Sequence, residues 1–133
     1  MISFNEYTRG LFLENLTKSD LDAVERMADK LFAKVGIDVE FTRHFLDRVN
    51  DARNKKPISS GELVRIFKLT YKKHGKKIPK LGKNAEAILH DINSHVNIPF
   101  ILKWDAKNQE FDMISKTVMR KKDFKSDDPK LEV

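Results

Sequence analysis

The spacing of apolar residues changes along this 133-residue chain, and the change limits the folds open to it. Up to His74, apolar positions recur mainly every three or four residues, which is typical of helices with one buried face. Between residues 98 and 120 they form two dense runs around a polar turn, which is typical of a β-hairpin. The pattern predicts an α+β protein, with N-terminal helices followed by helices packed on a small antiparallel sheet.

The predicted helices begin at residues suited to capping. Serine or threonine precedes the longer helical segments, where its hydroxyl accepts a hydrogen bond from a free backbone N–H group. Gly36 is a suitable stop for the second segment because glycine adopts the left-handed conformation that ends many helices. We predict helices over residues 3–15, 19–36, 42–53, 59–74 and, in a shorter form, 84–92.

Three segments are predicted to be strands. Residues 37–41 alternate between apolar and polar side chains, and residues 98–104 and 110–120 flank the turn at 105–109. The chain after residue 125 is polar and charged, which is typical of a loose terminal tail. We therefore divide the chain into an N-terminal helical arm (1–36), an α+β core (37–125) and a C-terminal tail (126–133).

The composition excludes several classes of site. The chain has no cysteine, so disulfides, thiolate metal sites and cysteine nucleophiles are absent. No apolar run approaches the roughly 18 residues of a membrane span, and the first residues lack the pattern of a signal peptide. His90 and His95 are five apart, a poor match to metal-ligand spacing. We expect a soluble protein of a reducing compartment, with no membrane partner, no metal and no other cofactor.

Charge is distributed unevenly along the chain. Residues 1–41 carry 5 basic and 8 acidic side chains, whereas residues 42–133 carry 21 and 12. Residues 53–83 contain 11 basic side chains and a single acid, Glu62. Such a block predicts binding to a polyanion, most often nucleic acid, through counterion release and electrostatic steering. An equally open alternative is a solvated face that keeps the protein soluble.

Within this basic block, four residues share one face of the helix predicted over 59–74 and its extension. Their spacing of three and four residues places them on a single solvent-facing ridge. These residues are predicted to hold a nucleic-acid backbone: Arg65, Lys68, Lys72 and Lys76.

A first candidate for chemistry lies on the helix predicted over 42–53. His44 and Arg48 are four residues apart and therefore project from one face. An imidazole can move a proton near neutral pH, and a guanidinium can bind phosphate bidentately, so the pair suits phosphodiester cleavage. The alternative, which spacing alone favours, is a surface helix in which Arg48 pairs with Asp47, Asp51 or a neighbour.

A second candidate lies on the last predicted strand. The hydroxyl of Thr117 is able to hydrogen-bond a phosphate oxygen, and Arg120 or Lys122 is able to bind the scissile group. The alternative is an ordinary strand that ends in a solvated basic tip.

The order of these parts resembles a known group of proteins. A strand enters a helix that reads FTRHFLDRV (41–49), Arg53 and the sequence PIS (57–59) follow, and a last strand ends with KTVMR (116–120). This order resembles small phage-encoded proteins of the barnase/RelE-like ribonuclease superfamily. The resemblance implies helices on a four- or five-stranded antiparallel sheet, and cleavage of RNA without a metal.

Carried over to this chain, the resemblance implies roles for five residues. It makes His44 the acid/base and makes Arg48 and Arg53 phosphate ligands, with Thr117 and Arg120 as partners on the strand. We therefore expect a ribonuclease-like phage protein that acts on RNA through attack by a 2′-hydroxyl. It would be located in the host cytoplasm or associated with the virion.

Two other function classes stay open. The chain would be non-enzymatic if it keeps the fold without the chemistry, as a virion component or a binder of a host factor. A DNA-binding regulator fits the charge alone, although no recognition helix with base-reading side chains is evident. The sequence pattern makes no prediction of oligomeric state.

Overall fold

The computed structural model of the chain describes residues 15–133, so the helix predicted over 3–15 lies outside the described residues. The chain from residue 15 onward forms three α-helices and six strands, in addition to three short 3₁₀ turns (Ala33–Val35, Ala52–Asn54 and Ile78–Leu81). The helices are α1 (Lys18–Phe32), α2 (Arg43–Val49) and α3 (Ser60–His74). The strands are β1 (Ile37–Phe41), β2 (Glu86–His90), β3 (Val96–Asp105), β4 (Glu110–Ser115), β5 (Met119–Arg120) and β6 (Lys130–Glu132).

The strands form one sheet in the order β1-β4-β3-β2-β6, and β5 continues the line of β4 alongside β3. The α+β class is confirmed, but the sheet is mixed rather than antiparallel. β1 pairs with β4, and β2 with β6, in parallel. A parallel pair needs a long connection, and the chain provides one in each case because helices or other strands separate the partners.

α1 belongs to the common core and is not a separate arm. Its side chains pack with those of α3 and the sheet, and the Phe32 ring meets the Phe67 ring edge-on with centroids 6.4 Å apart. Each fully buried apolar side chain contributes roughly 1.5–3 kcal/mol, so residues 18–32 add substantially to the stability of the whole domain. The buried face of α1 consists of Leu21, Val24, Ala28 and Phe32.

The segment over 84–92, predicted as a helix, is the strand β2. Its residues favour helices individually, but Ala87, Ile88 and Leu89 are all buried. A short apolar run that is buried on both faces has no periodicity that separates a helix from a strand. Pairing with β3 on one side and β6 on the other decides the conformation.

The C-terminal segment is ordered into the sheet and is not a loose tail. Ile88 N–H donates to the carbonyl of Pro129, and Val133 N–H donates to the carbonyl of His90. Val133 is itself buried. The imidazole Nε2 of His74 lies 2.8 Å from the carbonyl oxygen of Glu132, so Nε2 is the donor. Backbone pairing with an exposed sheet edge therefore orders a segment that is polar in sequence.

The predicted hairpin is confirmed, but its second strand is interrupted. The carboxylate of Asp105 accepts hydrogen bonds from the backbone N–H groups of Lys107 and Asn108, which fixes the turn. Pairing stops after Ser115 and resumes at Met119, so the predicted strand 110–120 becomes β4 and β5. Within residues 15–133, none of the helices has the length and apolar character required to cross a membrane.

The edge strand β1 is covered by carboxylates of α1. Glu25 accepts a hydrogen bond from Phe41 N–H, and Asp29 accepts one from Val39 N–H, so these outward-facing N–H groups of the edge are satisfied. Burial raises the pKa of Asp29 to about 7, and the nearby Asp38 and Glu25 carboxylates add to the effect. Burial also raises the pKa of Glu40 to about 7, with Asp112 as the next contribution.

These raised pKa values predict how stability changes with pH. Unfolding returns Asp29 and Glu40 to ordinary carboxyl pKa values near ~4, so the folded state binds more protons than the unfolded state between about pH 4 and pH 7. Stability contributed by these groups is therefore lost as the pH rises through that interval and is constant above it. We expect a higher Tm at pH 5.5 than at pH 8, and Glu40→Gln should raise Tm at pH 8 and reduce the difference.

The matched control for this measurement is Glu86→Gln, which removes an exposed carboxylate on β2. It should leave the difference between the two Tm values as in the wild type. An equal response of both variants would mean that Glu40 has no special part in the pH dependence.

Candidate nucleic-acid interface

A cleft of about 510 Å³ opens between the chain around residues 53–56, the turn from β2 to β3, and β5 with the residues after it. We call it the basic cleft, because cationic side chains dominate its walls. It is lined by Arg53, Asn54, Lys55, Lys56, His95, Met119, Arg120, Lys121 and Lys122.

The buried side chain of Asn54 joins two walls of the basic cleft. Its Nδ2 donates to the carbonyl oxygens of Arg48 and Val49 at 2.9 and 3.2 Å. Its Oδ1 accepts a hydrogen bond from Arg120 N–H at 3.0 Å. One amide therefore connects the end of α2 with β5, and buried polar groups that are satisfied in this way hold a single local arrangement.

A second buried amide, Asn97, holds the opposite wall. Its Nδ2 lies 3.0, 3.1 and 3.0 Å from the carbonyl oxygens of His95, Met119 and Lys121. Its Oδ1 lies 2.7 Å from Nδ1 of His90, so the imidazole is the donor in that contact. The histidine at position 90 is thus part of the support of the cleft.

Arg120 is the central support of this region. Its Nε donates to the carbonyl of Lys56 (3.1 Å), Nη1 to Ser94 (2.9 Å), and Nη2 to Pro57 (2.8 Å) and to the Glu62 carboxylate (2.9 Å). These contacts use four of the five N–H donors of a guanidinium, and the side chain is only 12% exposed. Arg120 therefore acts as a positioning residue. The sequence predicts that its guanidinium binds a phosphate, but protein acceptors already occupy that guanidinium.

The backbone of the cleft is strained at two places. Lys55 has φ 62° and ψ −56°, and Lys56 N–H donates to the carbonyl of Asn54 at 2.6 Å, which is the geometry of a rare γ-turn. His95 adopts φ 62° in the turn between β2 and β3. Backbone strain of this kind persists only where the surrounding structure enforces it, and it clusters at ligand-binding sites.

The lysines of the basic cleft carry uncompensated charge. Lys55, Lys56, Lys121 and Lys122 are exposed, and their ammonium groups form no ion pair with any residue from 15 to 133. Arg53 differs, because its guanidinium binds the Asp51 carboxylate at 3.0 Å. Hydrogen bonds from Arg53 hold the pKa of Asp51 below its ordinary value.

The predicted residue Arg65 has a structural partner. Its guanidinium binds the carboxylate of Asp91, which is fully buried, while the Arg65 side chain is 40% exposed. Burial favours the neutral form of Asp91, but hydrogen bonds from Arg65 and Ser94 outweigh it and lower its pKa. Arg65 also borders a pocket of about 460 Å³ that shares Lys56, His95 and Arg120 with the basic cleft.

Arg65 and three lysines form a row along α3 and its extension that we call the α3 ridge, and the three lysines lead away from the cleft. Lys68 and Lys72 are exposed on α3, and Lys76 is exposed just beyond its end. Lys72 and Lys76 border a further pocket of about 390 Å³, which also includes Lys73 and Lys77. A basic surface thus extends from the cleft along α3 to this lysine-rich pocket.

The segments predicted to carry catalysis, residues 42–53 and 110–120, are joined by hydrogen bonds at two points. Thr42 N–H, just before α2, donates to the carbonyl of Ser115, and Asn54, five residues beyond the end of α2, accepts from Arg120 N–H. His44 and Arg48 are exposed on α2, and Thr117 lies on the segment that follows β4.

These three residues nevertheless lie outside the basic cleft, which receives only Arg53, Arg120 and Lys122 from the predicted set. Thr117 borders a separate pocket of about 160 Å³. Nη1 of Arg48 lies 3.7 Å from the Asp51 carboxylate. This is the surface ion pair that the helical spacing gave as the alternative to a catalytic role.

Sequence reasoning missed six residues of the cleft: Lys55, Lys56, His95 and Lys121, which have ionisable side chains, and in addition Asn54 and Met119. The first two lie in a loop whose γ-turn is not visible in the sequence. His95 is expected only to be a poor metal ligand, because residues 84–92 are predicted to be a helix and a turn between two strands is therefore not expected there. The available signals are the basic block over 53–83, which includes Lys55 and Lys56, and the adjacent lysines at 121–122.

An acidic group lies at the other edge of the sheet. Carboxylate oxygens of Asp38, Glu110 and Asp112 lie within 4.8 Å of one another, close enough to hold a metal ion. Parallel pairing of β1 with β4 places Asp38 beside Asp112, although the two residues are far apart in sequence. Burial and the Asp38 charge raise the pKa of Asp112.

Comparison of the chain with protein-family models, with curated proteins and with solved structures found no match in any of the three. The chemistry of its own side chains is therefore the guide to its function.

The role of Arg120 predicts the effect of a conservative change. Arg120→Lys keeps the charge but loses the planar fork that reaches Pro57, Ser94 and Glu62. We expect it to lower the free energy of unfolding by about 2–4 kcal/mol, because the half-buried Glu62 carboxylate and three backbone carbonyls lose their donors. Urea denaturation measures this. Arg53→Lys is the control and should cost less than about 1 kcal/mol, because its ion pair is exposed.

An Arg120→Lys variant as stable as the wild type would show that the guanidinium does not hold the cleft together.

Proposed function

We propose that this protein binds RNA through the basic cleft and the α3 ridge, and that it is a metal-independent ribonuclease-like protein. The observation that carries the proposal is a cleft in which exposed lysines stand on a backbone fixed by Asn54, Asn97 and Arg120. Fixed cationic groups that face water attract a phosphodiester backbone by releasing its counterions.

The continuity of the basic surface supports a long ligand rather than a single small anion. The pocket beside Arg65 shares three residues with the cleft, and the ridge continues from it to the lysine-rich pocket. From Arg65 to His74, the last residue of α3, the helical rise alone spans about 14 Å, and Lys76 lies beyond that end. Several consecutive phosphates of one strand are able to follow such a path.

The cleavage step rests on the hydrogen bonds that join the two ends of residues 42–54 to β4 and β5. In the proposed reaction His44 takes the proton of a 2′-hydroxyl, and the resulting oxygen attacks the adjacent phosphorus. The bond to the 5′-oxygen breaks, and that oxygen takes a proton from water or an acid group. Arg48 stabilises the charge that develops on the phosphate oxygens, and Thr117 hydrogen-bonds one of them.

A specific observation favours the non-enzymatic alternative as a second candidate. The guanidinium of Arg120 is engaged by protein acceptors, and Arg48 lies beside Asp51. Thr117 borders a pocket separate from the basic cleft. A protein that binds RNA without cleaving it, as a virion component or as a binder of a host factor, is consistent with this arrangement.

A cleavage assay tests the enzymatic part. Purified protein is incubated with mixed total RNA in the presence of EDTA. We expect fragmentation by the wild type and a loss of at least a hundredfold in rate for His44→Ala, because general acid–base catalysis contributes about 10²–10⁴-fold. Asp47→Ala changes an exposed residue of the same helix and should retain activity.

Absence of cleavage by the wild type, together with a shift of RNA in a gel, would select the non-enzymatic alternative. Equal activity of His44→Ala and the wild type would remove His44 from the mechanism.

The α3 ridge predicts the salt dependence of binding. Replacement of Lys68, Lys72 and Lys76 by Gln removes three cations that face the proposed RNA backbone. We expect weaker binding and a slope of log K against log [salt] that is smaller by about 2–3, since each neutralised phosphate adds roughly 0.7–0.9 to the slope. Fluorescence anisotropy at several salt concentrations measures both quantities.

The control removes the same charge elsewhere. Lys30, Lys34 and Lys107 are exposed and lie outside the ridge and the cleft, so their replacement by Gln should change the slope much less. Equal slopes for the two triple variants would exclude the ridge from the RNA interface.

A further inference from the structure

We infer that the basic cleft holds a single unpaired nucleotide of an RNA strand, with its base between His95 and Met119 and its flanking phosphates on the lysines of the rim. This inference rests on the proposed RNA binding and assigns a position and a substrate class to it.

The size and lining of the cleft match one nucleotide. Its volume of about 510 Å³ lies within the range of pockets that bind small molecules, roughly 300–1,000 Å³. Met119 and His95 are half-buried in its wall, whereas Lys121 and Lys122 are exposed. One thioether and one imidazole in the wall, with lysines around them, suit a base flanked by phosphates.

The imidazole of His95 is available to such a base. Its side chain forms no hydrogen bond with residues 15–133, although its backbone is held on both sides. His95 N–H donates to the carbonyl of Asp91, and its own carbonyl accepts from Lys121 N–H at 2.9 Å. A ring on a fixed backbone loses little entropy when a base stacks on it, and histidine is among the residues on which unpaired bases stack.

The strained backbone supports a ligand at this place. Lys55 and His95 both have positive φ, and they lie on two different chain segments that face one cleft. Neither conformation is favourable for a side chain with a Cβ atom. Buried amides and Arg120 maintain both, which is expected where the position of two side chains matters more than local stability.

A double helix does not fit the same site. Its bases are stacked and paired inside, so a concave pocket meets only the sugar-phosphate surface. A single strand is able to turn one base into the cleft while its phosphates continue toward Lys56 and the α3 ridge. The cleft is therefore expected to select unpaired RNA.

Binding of three 2′-O-methyl RNA probes tests this inference, because they lack the attacking hydroxyl and stay intact. The probes are a single-stranded 10-mer, the corresponding duplex, and a 10-mer of the same length without bases. Fluorescence anisotropy gives each Kd at one salt concentration. We expect the wild type to bind the single strand at least tenfold more tightly than the other two probes.

Two variants remove the ring while keeping the backbone. His95→Asn and His95→Gly suit the positive φ of this position, since asparagine and glycine tolerate it best. Each should weaken binding of the single strand roughly five- to tenfold, within the range of base stacking on an aromatic side chain. Binding of the duplex and of the probe without bases should not change, and Tm confirms folding.

Trp104→Leu is the matched control, because it removes an exposed ring outside the cleft. Equal affinity for all three probes, or a loss of single-strand binding in Trp104→Leu but not in the His95 variants, would overturn the nucleotide site and leave RNA binding intact. Failure of the wild type to bind any probe, or any unmodified RNA, would instead refute the proposed function itself.

Discussion

The hydrogen bonds of the Arg120 guanidinium hold together the chain segments that surround the basic cleft. They connect β5 with the loop before α3, with α3 itself and with the turn between β2 and β3. A guanidinium in this position is paired with a carboxylate and with backbone carbonyls, so its burial is compensated. The lysines around it gain a fixed backbone while their ammonium groups stay in water.

Folding separates acidic from basic side chains more completely than their order along the chain does. Carboxylates collect on α1, β1 and β4, where several repel one another and the pKa values of Asp29 and Glu40 rise to about 7. Cations collect at the basic cleft and along α3. A polyanion that approaches such a molecule is attracted to one face and repelled from the other, which orients it before contact.

The elements that sequence reasoning predicted well depend on local contacts. The hydroxyl of Ser59 caps α3, and Gly36 adopts φ 74° at the end of the 3₁₀ turn that follows α1, while the cap of α1 is Thr17, so that this helix begins one residue before the predicted segment 19–36. The elements it predicted wrongly depend on distant partners. β2 is a strand because it lies between β3 and β6, and the C-terminal segment is ordered because β2 offers it an edge.

The amino-acid sequence by itself determined the α+β class, the limits of the larger helices and the excess of positive charge after residue 42, since caps, apolar periodicity and charge are local properties. Only the tertiary structure decided which basic residues stay without an ion-pair partner among residues 15–133. Arg120 and Arg65 form ion pairs with Glu62 and Asp91, whereas His95 and Lys121 line the cleft. Side chains of the same type differ in whether they pair within the protein. Burial and the distance to the nearest carboxylate decide this, and both depend on contacts between segments that are distant in sequence.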